Sequence, residues 1–147
     1  MSPLNLEQKD NLARRLQYME KQLNDLTEFE GMTFAEYRKY TKDAKAMERT
    51  IENIINGVID ISKIALAGEG VLIPETYVKG VQQLGTVGIL DEKESIRLAD
   101  FVKLRNTLAH EYMDLKWNEI QAFLTEGPAL MKNVIAKISG LIWKNCP

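Results

Sequence analysis

One stretch of the chain, Arg105-Asn106-Thr107-Leu108-Ala109-His110-Glu111-Tyr112, groups side chains whose chemistries complement one another. His110 is the one histidine present. An unperturbed imidazole has a pKa of about 6.5, so it takes and gives protons near neutrality. Arg105 stays cationic and can hold a phosphate through two parallel N–H donors, where it stabilises charge that grows in a transition state. Asn106 offers both a donor and an acceptor. A proton carrier close to a phosphate clamp suits RNA cleavage without a metal. The ribose 2′-hydroxyl attacks the adjacent phosphorus, His110 takes that proton or protonates the departing 5′-oxygen, and a 2′,3′-cyclic phosphate remains. Residue types and spacing alone leave a plainer alternative open, a histidine that serves only as a surface or hydrogen-bonding group.

Helical geometry sets a condition on this chemistry. On an ideal helix Asn106 and His110 share one face, and Arg105 and Tyr112 share another. Arg105 and His110 stand about 140° apart around the axis. The reach of arginine closes part of that gap, and a bend before His110 closes more. A twofold dimer could instead bring Arg105 of one chain to His110 of the other. The expected arrangement is therefore a composite site in a symmetric homodimer.

The elements that must position these residues read as helices throughout, with no alternating strand pattern bounded by turns. Asn5 and Gln8 have the spacing of a capping box. Leu12, Leu16, Met19, Leu23 and Leu26 follow as an apolar stripe at helical period. Thr33 and Glu36 predict the start of a second, long helix that runs to about Gly68 with Tyr40, Ala44, Met47, Ile51, Ile54, Val58 and Ile61 on one side. Gly57 inside it fits a close helix crossing. Pro74 suits the first position of a third helix, to about Leu84, with Gly85 and Gly88 around a turn. Asp91 and Glu94 predict the start of a fourth, whose apolar content includes Ile96, Leu98, Ala99, Val102, Leu104 and Leu108. A fifth runs from about Trp117 to Trp143, kinked or interrupted at Gly127-Pro128. The sum is an all-α bundle of about five helices in a single domain, residues 1–147.

Composition narrows the functional classes. The chain has 147 residues, 45% apolar and 27% charged, the profile of an ordinary globular domain. No apolar run reaches the roughly 20 residues that cross a bilayer, and no signal peptide is visible. The one cysteine, Cys146, cannot form an intrachain disulfide. These features predict a cytoplasmic protein. A net charge of −2 is not the footprint of a general nucleic-acid binder, so any RNA contact must use a local patch. Arg38, Lys42, Lys45 and Arg49 fall within about 60° on the expected second helix. They read either as a solvated face or as a rail for RNA phosphates or a protein partner. Lys103 and Lys116 flank the motif and carry the same two readings. Trp117 and Trp143 read as packing or as base-stacking surfaces. His110 and Asp114 share a helix face, but no second histidine or nearby cysteine joins them, so neither a metal nor another cofactor is expected.

The Arg-x4-His-x-Tyr pattern of Arg105, His110 and Tyr112, with Asn106 after the arginine, resembles the signature of HepT-like toxins of the HEPN superfamily. The flanks agree. Arg49-Thr50-Ile51-Glu52 to Ala65 resembles the family's long second helix. Pro74-Glu75-Thr76-Tyr77 to Gly85, then Val87-Gly88-Ile89-Leu90, resembles its Pro-led helix and following turn. The resemblance covers roughly residues 5 to 120. It implies a helical dimer with an interfacial cleft and metal-independent endoribonuclease activity, with Arg105 and His110 as the catalytic pair and Asn106 as their polar neighbour. It also implies a minimal nucleotidyltransferase antitoxin of the MntA type that transfers AMP from ATP onto Tyr112. The family's other implied role is a non-catalytic subunit that docks a nucleotidyltransferase and nucleotide.

Overall fold

The computed structural model describes residues 4–72, 74–109 and 113–143, with 113–115 described by backbone alone. The described residues form six α-helices and no strand: α1 Leu6–Leu26, α2 Phe34–Lys39, α3 Thr41–Gly68, α4 Tyr77–Thr86, α5 Glu92–Leu108 and α6 Met113–Trp143. A short 3-10 helix, Thr27–Phe29, follows α1. The all-α expectation holds among the described residues.

Helices start where side chains satisfy the free backbone donors of a first turn. At α1 the Gln8 N–H donates to Asn5 Oδ1 at 2.8 Å, and the Asn5 N–H donates to Gln8 Oε1 at 2.9 Å. Thr33 with Glu36, and Asp91 with Glu94, form the same reciprocal box at α2 and α5. The Glu94 N–H bond to Asp91, followed by weaker contributions that include the nearby Lys137 charge, holds the Asp91 carboxyl below its usual range.

The expected second helix is two helices, which raises the count from about five to six. The chain breaks at Tyr40, whose backbone lies at φ −96°, ψ 76°. No proline or glycine lies at the break, and no side chain caps the start of α3. The cause is tertiary. Tyr37 of α2 is buried with its ring centroid 5.0 Å from that of Trp117 on α6, and Phe34 lies 6.0 Å from the same indole. Tyr40 itself is exposed rather than part of the apolar stripe, as is Ile96 on α5.

Two other expectations change. The third helix starts at Tyr77, not Pro74, because Thr76 caps it by accepting the Lys79 N–H at 3.2 Å. It runs to Thr86, so Gly85 lies within its last turn, and the left-handed turn residue is Gly88 at φ +83°. The last helix passes through Pro128 without interruption. A proline inside a helix costs about 3 kcal/mol. Phe123, Met131 and Val134 on either side are fully buried, each worth about 1.5–3 kcal/mol. Together they outweigh the proline.

α3 lies at the centre, packed against all five other α-helices. Two glycines set how closely the helices approach. A Cβ on Gly57 would lie 2.8 Å from Met19 Cγ, so α1 and α3 cross where the expected glycine sits. A Cβ on Gly85 would lie 2.3 Å from Ser95 Oγ and 2.8 Å from Ser95 Cβ, so α4 and α5 meet there as well. Gly80, on the same helix, has open space at its Cβ position.

The two α4 glycines therefore predict opposite outcomes. Gly85→Ala overpacks the α4–α5 contact and lowers the unfolding free energy by about 1–3 kcal/mol. Gly80→Ala only restricts the unfolded chain and raises it by up to about 1 kcal/mol. Urea titration of both variants checks this, and a loss of stability at Gly80 equal to that at Gly85 contradicts it.

Candidate active site at the end of α5

Arg105 occupies the last turn of α5, where a cation complements the partial negative charge of a helix C-terminus. Its guanidinium carbon lies 5.0 Å from the centroid of the Tyr77 ring on α4. Lys63 of α3 places its Nζ 5.4 Å from the same centroid. One half-exposed aromatic ring thus meets two cations from two other helices. Contacts of this kind at exposed sites contribute about 0.5–1 kcal/mol each. They orient the charges yet leave them able to move. Among the described residues, neither Arg105 nor Lys63 has a carboxylate within ion-pair distance.

Asn106 is exposed on the same turn. Its carbonyl accepts the Ala109 N–H at 3.2 Å, a tight closure that ends α5 at Leu108. The single helix expected to carry the whole motif therefore stops before the histidine. The angle of about 140° drawn for an unbroken helix does not apply. His110 and Tyr112 lie outside the described residues, as does the side chain of Asp114.

The chain re-enters the described structure at α6, whose first turns are held by α3 and α2. Lys116 Nζ pairs with Glu48 Oε1 at 2.6 Å, and both side chains are largely buried. The Tyr37 hydroxyl donates to Glu48 Oε2 at 3.3 Å. Burial, and then the neighbouring Glu48 charge, pushes the Tyr37 phenol up to about 12. Lys116 is thus committed to Glu48, and the Trp117 ring is buried against Tyr37 and Phe34. The packing reading of Trp117 stands, Lys116 is a largely buried ion-pair partner rather than a solvated charge, and neither presents a surface to a ligand. Trp143 is exposed.

The basic residues distribute differently from the sequence reading. Arg38, Lys42, Lys45 and Arg49 are all exposed, but they do not share one helix. Arg38 belongs to α2 and packs its guanidinium 5.6 Å from the Phe34 ring centroid, while the other three follow on α3 beyond the Tyr40 break. Lys103 is exposed and lies 3.7 Å from Asp100. Sequence reasoning missed Lys63 and gave Tyr77 no role of its own. The one signal that could have found Tyr77 is Thr76, whose capping ability places a tyrosine at the start of a helix.

Among the described residues no group of three or more His, Cys, Asp or Glu side chains could hold a metal ion, and no helix is long and apolar enough to cross a membrane.

A six-helix bundle, with Arg105 and Asn106 at the end of a helix and His110 and Tyr112 next in sequence, is that of a HEPN-type protein. The sequence model of the Ribonuclease HepT-like family matches residues 19–138, and the chain belongs to that family. The match takes in the end of α1 from Met19, all of α2 to α5, most of α6 and the whole Arg105–Tyr112 segment. No curated protein matches the chain.

The buried phenol carries a pH prediction. Its folded-state value lies above the ordinary 10.0 of an unfolded tyrosine. Its contribution to stability is therefore fully present below pH 10 and is lost as pH rises through about 12. The wild type should lose more unfolding free energy between pH 9 and pH 11.5 than Tyr37→Phe, in urea titrations at each pH. Equal losses in the two proteins would remove the argument.

Proposed function

We propose that the protein is a metal-independent endoribonuclease toxin. Arg105 holds the scissile phosphate. His110 moves a proton, either from the 2′-hydroxyl or to the 5′-oxygen. The 2′-oxygen bonds to phosphorus, the bond to the 5′-oxygen breaks, and the products carry a 2′,3′-cyclic phosphate and a 5′-hydroxyl. Asn106 orients the substrate or the imidazole. The observation that carries this reading is the position of Arg105 in a family member. It is a cation at a helix end, three residues from a break in the helix, steered by an aromatic ring rather than paired with an acid among the described residues.

The protein acts as a homodimer in the cytoplasm, with Arg105 and His110 meeting across a cleft. Arg38, Lys42, Lys45, Arg49 and Lys103 offer local positive charge to RNA or to a partner despite the acidic chain. Control comes from a nucleotidyltransferase of the MntA type. The Tyr112 oxygen attacks the α-phosphorus of ATP, and pyrophosphate leaves. A bulky anion close to Arg105 in sequence then competes for the phosphate position.

Purified protein incubated with total RNA should give fragments ending in 2′,3′-cyclic phosphate. His110→Ala and Arg105→Ala should each cut at least about 100-fold more slowly while keeping wild-type circular dichroism. Cleavage at the wild-type rate by folded His110→Ala rejects the mechanism. Intact mass after incubation with the nucleotidyltransferase and ATP should rise by one or more AMP units in the wild type and not in Tyr112→Phe. Tight partner binding without cleavage or mass change would instead mark a docking subunit.

A further inference from the structure

Between α3 and α4 lies a cavity of about 190 Å³, with Ile59, Leu66 and Val81 among its walls and Tyr77 at its edge. Ser62 and Glu75 supply polar atoms. The Ser62 hydroxyl donates to the Val58 carbonyl at 2.6 Å, which leaves its own oxygen free to accept. Sites for drug-sized ligands run to about 300–1,000 Å³, so this cavity suits a single small heterocycle rather than a whole nucleotide. Its edge is what gives it meaning. Tyr77 lines the cavity and its ring also lies 5.0 Å from the guanidinium carbon of Arg105, while Lys63 both lines the cavity and faces that ring.

We propose that this cavity, with Tyr77 as its stacking surface, holds one nucleobase of the RNA whose phosphate Arg105 binds. The inference rests on the ribonuclease reading above and adds to it a subsite for a base. A base is flat and apolar on its faces and polar at its edges, which matches an aromatic rim over apolar walls with acceptors at Ser62 and Glu75. The chain of contacts is continuous from the cavity through Tyr77 to Arg105. A nucleotide seated there places its base on the ring and its phosphate toward the two cations. Base–aromatic stacking is stronger than an exposed cation–π contact, so the entering base displaces Lys63 and Arg105 from the ring. Both charges are then freed for phosphate oxygens. Tyr77 in this arrangement binds substrate and, when the site is empty, keeps the guanidinium close by.

The test uses the full chain and a 2′-O-methyl adenylate decamer with 2-aminopurine at alternate positions, which binds but cannot be cut by 2′-hydroxyl attack. Stacking on tyrosine quenches 2-aminopurine fluorescence. The wild type should quench it on binding. Tyr77→Leu should bind about 5- to 150-fold more weakly and lose the quenching. Tyr77→Phe should recover both, which a role through the hydroxyl would not allow. Arg105→Ala should weaken binding yet still quench at saturation. Wild-type affinity and quenching in folded Tyr77→Leu overturns the subsite, as does a wild type that cleaves RNA but leaves the decamer's fluorescence unchanged. Both results leave the ribonuclease reading intact. A wild type that neither binds the decamer nor cleaves any RNA overturns the two together.

Discussion

A helix that packs against every other helix in a bundle cannot be polar on any broad face. α3 meets that constraint over the stretch from Ile51 to Leu66, where its large apolar residues are almost all buried. The polar residues that remain on it are placed rather than scattered. Asp60 pairs with Arg15 of α1 at 2.8 Å, and Glu48 pairs with Lys116 of α6. Asn53 donates to Gln22 of α1 at 3.1 Å. Ser62 turns its hydroxyl back onto its own helix, which is how a buried hydroxyl avoids an unmet donor. α3 works as a central rod because its buried face is apolar and Glu48, Asn53, Asp60 and Ser62 each have a partner.

The candidate site is built from the two helix ends that flank residues 110–112, and each end is tethered in its own way. The end of α5 is held softly, by a guanidinium near a half-exposed ring. The start of α6 is held firmly, by a largely buried ion pair and a buried stack of aromatic rings. Breaking a buried pair by removing one partner costs about 3–5 kcal/mol, several times an exposed cation–π contact. The arginine therefore has freedom that the opposite side lacks. That division suits a residue that must reach for a phosphate from a fixed frame.

Much of this was legible because capping is local. Asn5, Thr33 and Asp91 each announce a helix start through a partner three residues away, and all three boxes form. Gly57 was legible as a crossing because glycine inside a strong helical pattern needs a packing reason. The break at Tyr40 was not legible, since the apolar stripe runs through it in phase and its cause is Trp117, far along the chain. The start of α4 was misread because proline is a strong local signal, while a threonine cap with no acid at its third position is a weak one. The chemical types of Arg105 and Asn106 could be read directly. That Arg105 leans on Tyr77 could not, because a contact between residues on separate helices leaves no periodic trace in either.

Glu94 has a double attachment. It closes the capping box of α5 through the Asp91 N–H at 2.9 Å, and the same carboxylate oxygen meets Lys137 on α6. Arg97, one turn on, bonds to Glu126, also on α6. The beginning of α5 therefore cannot fray without loosening its grip on α6. Those two links couple opening of the first turn of α5 to the middle of α6. Arg105 rides at the far end of α5, so the clasp on α6 at the near end anchors the rod from which the arginine reaches.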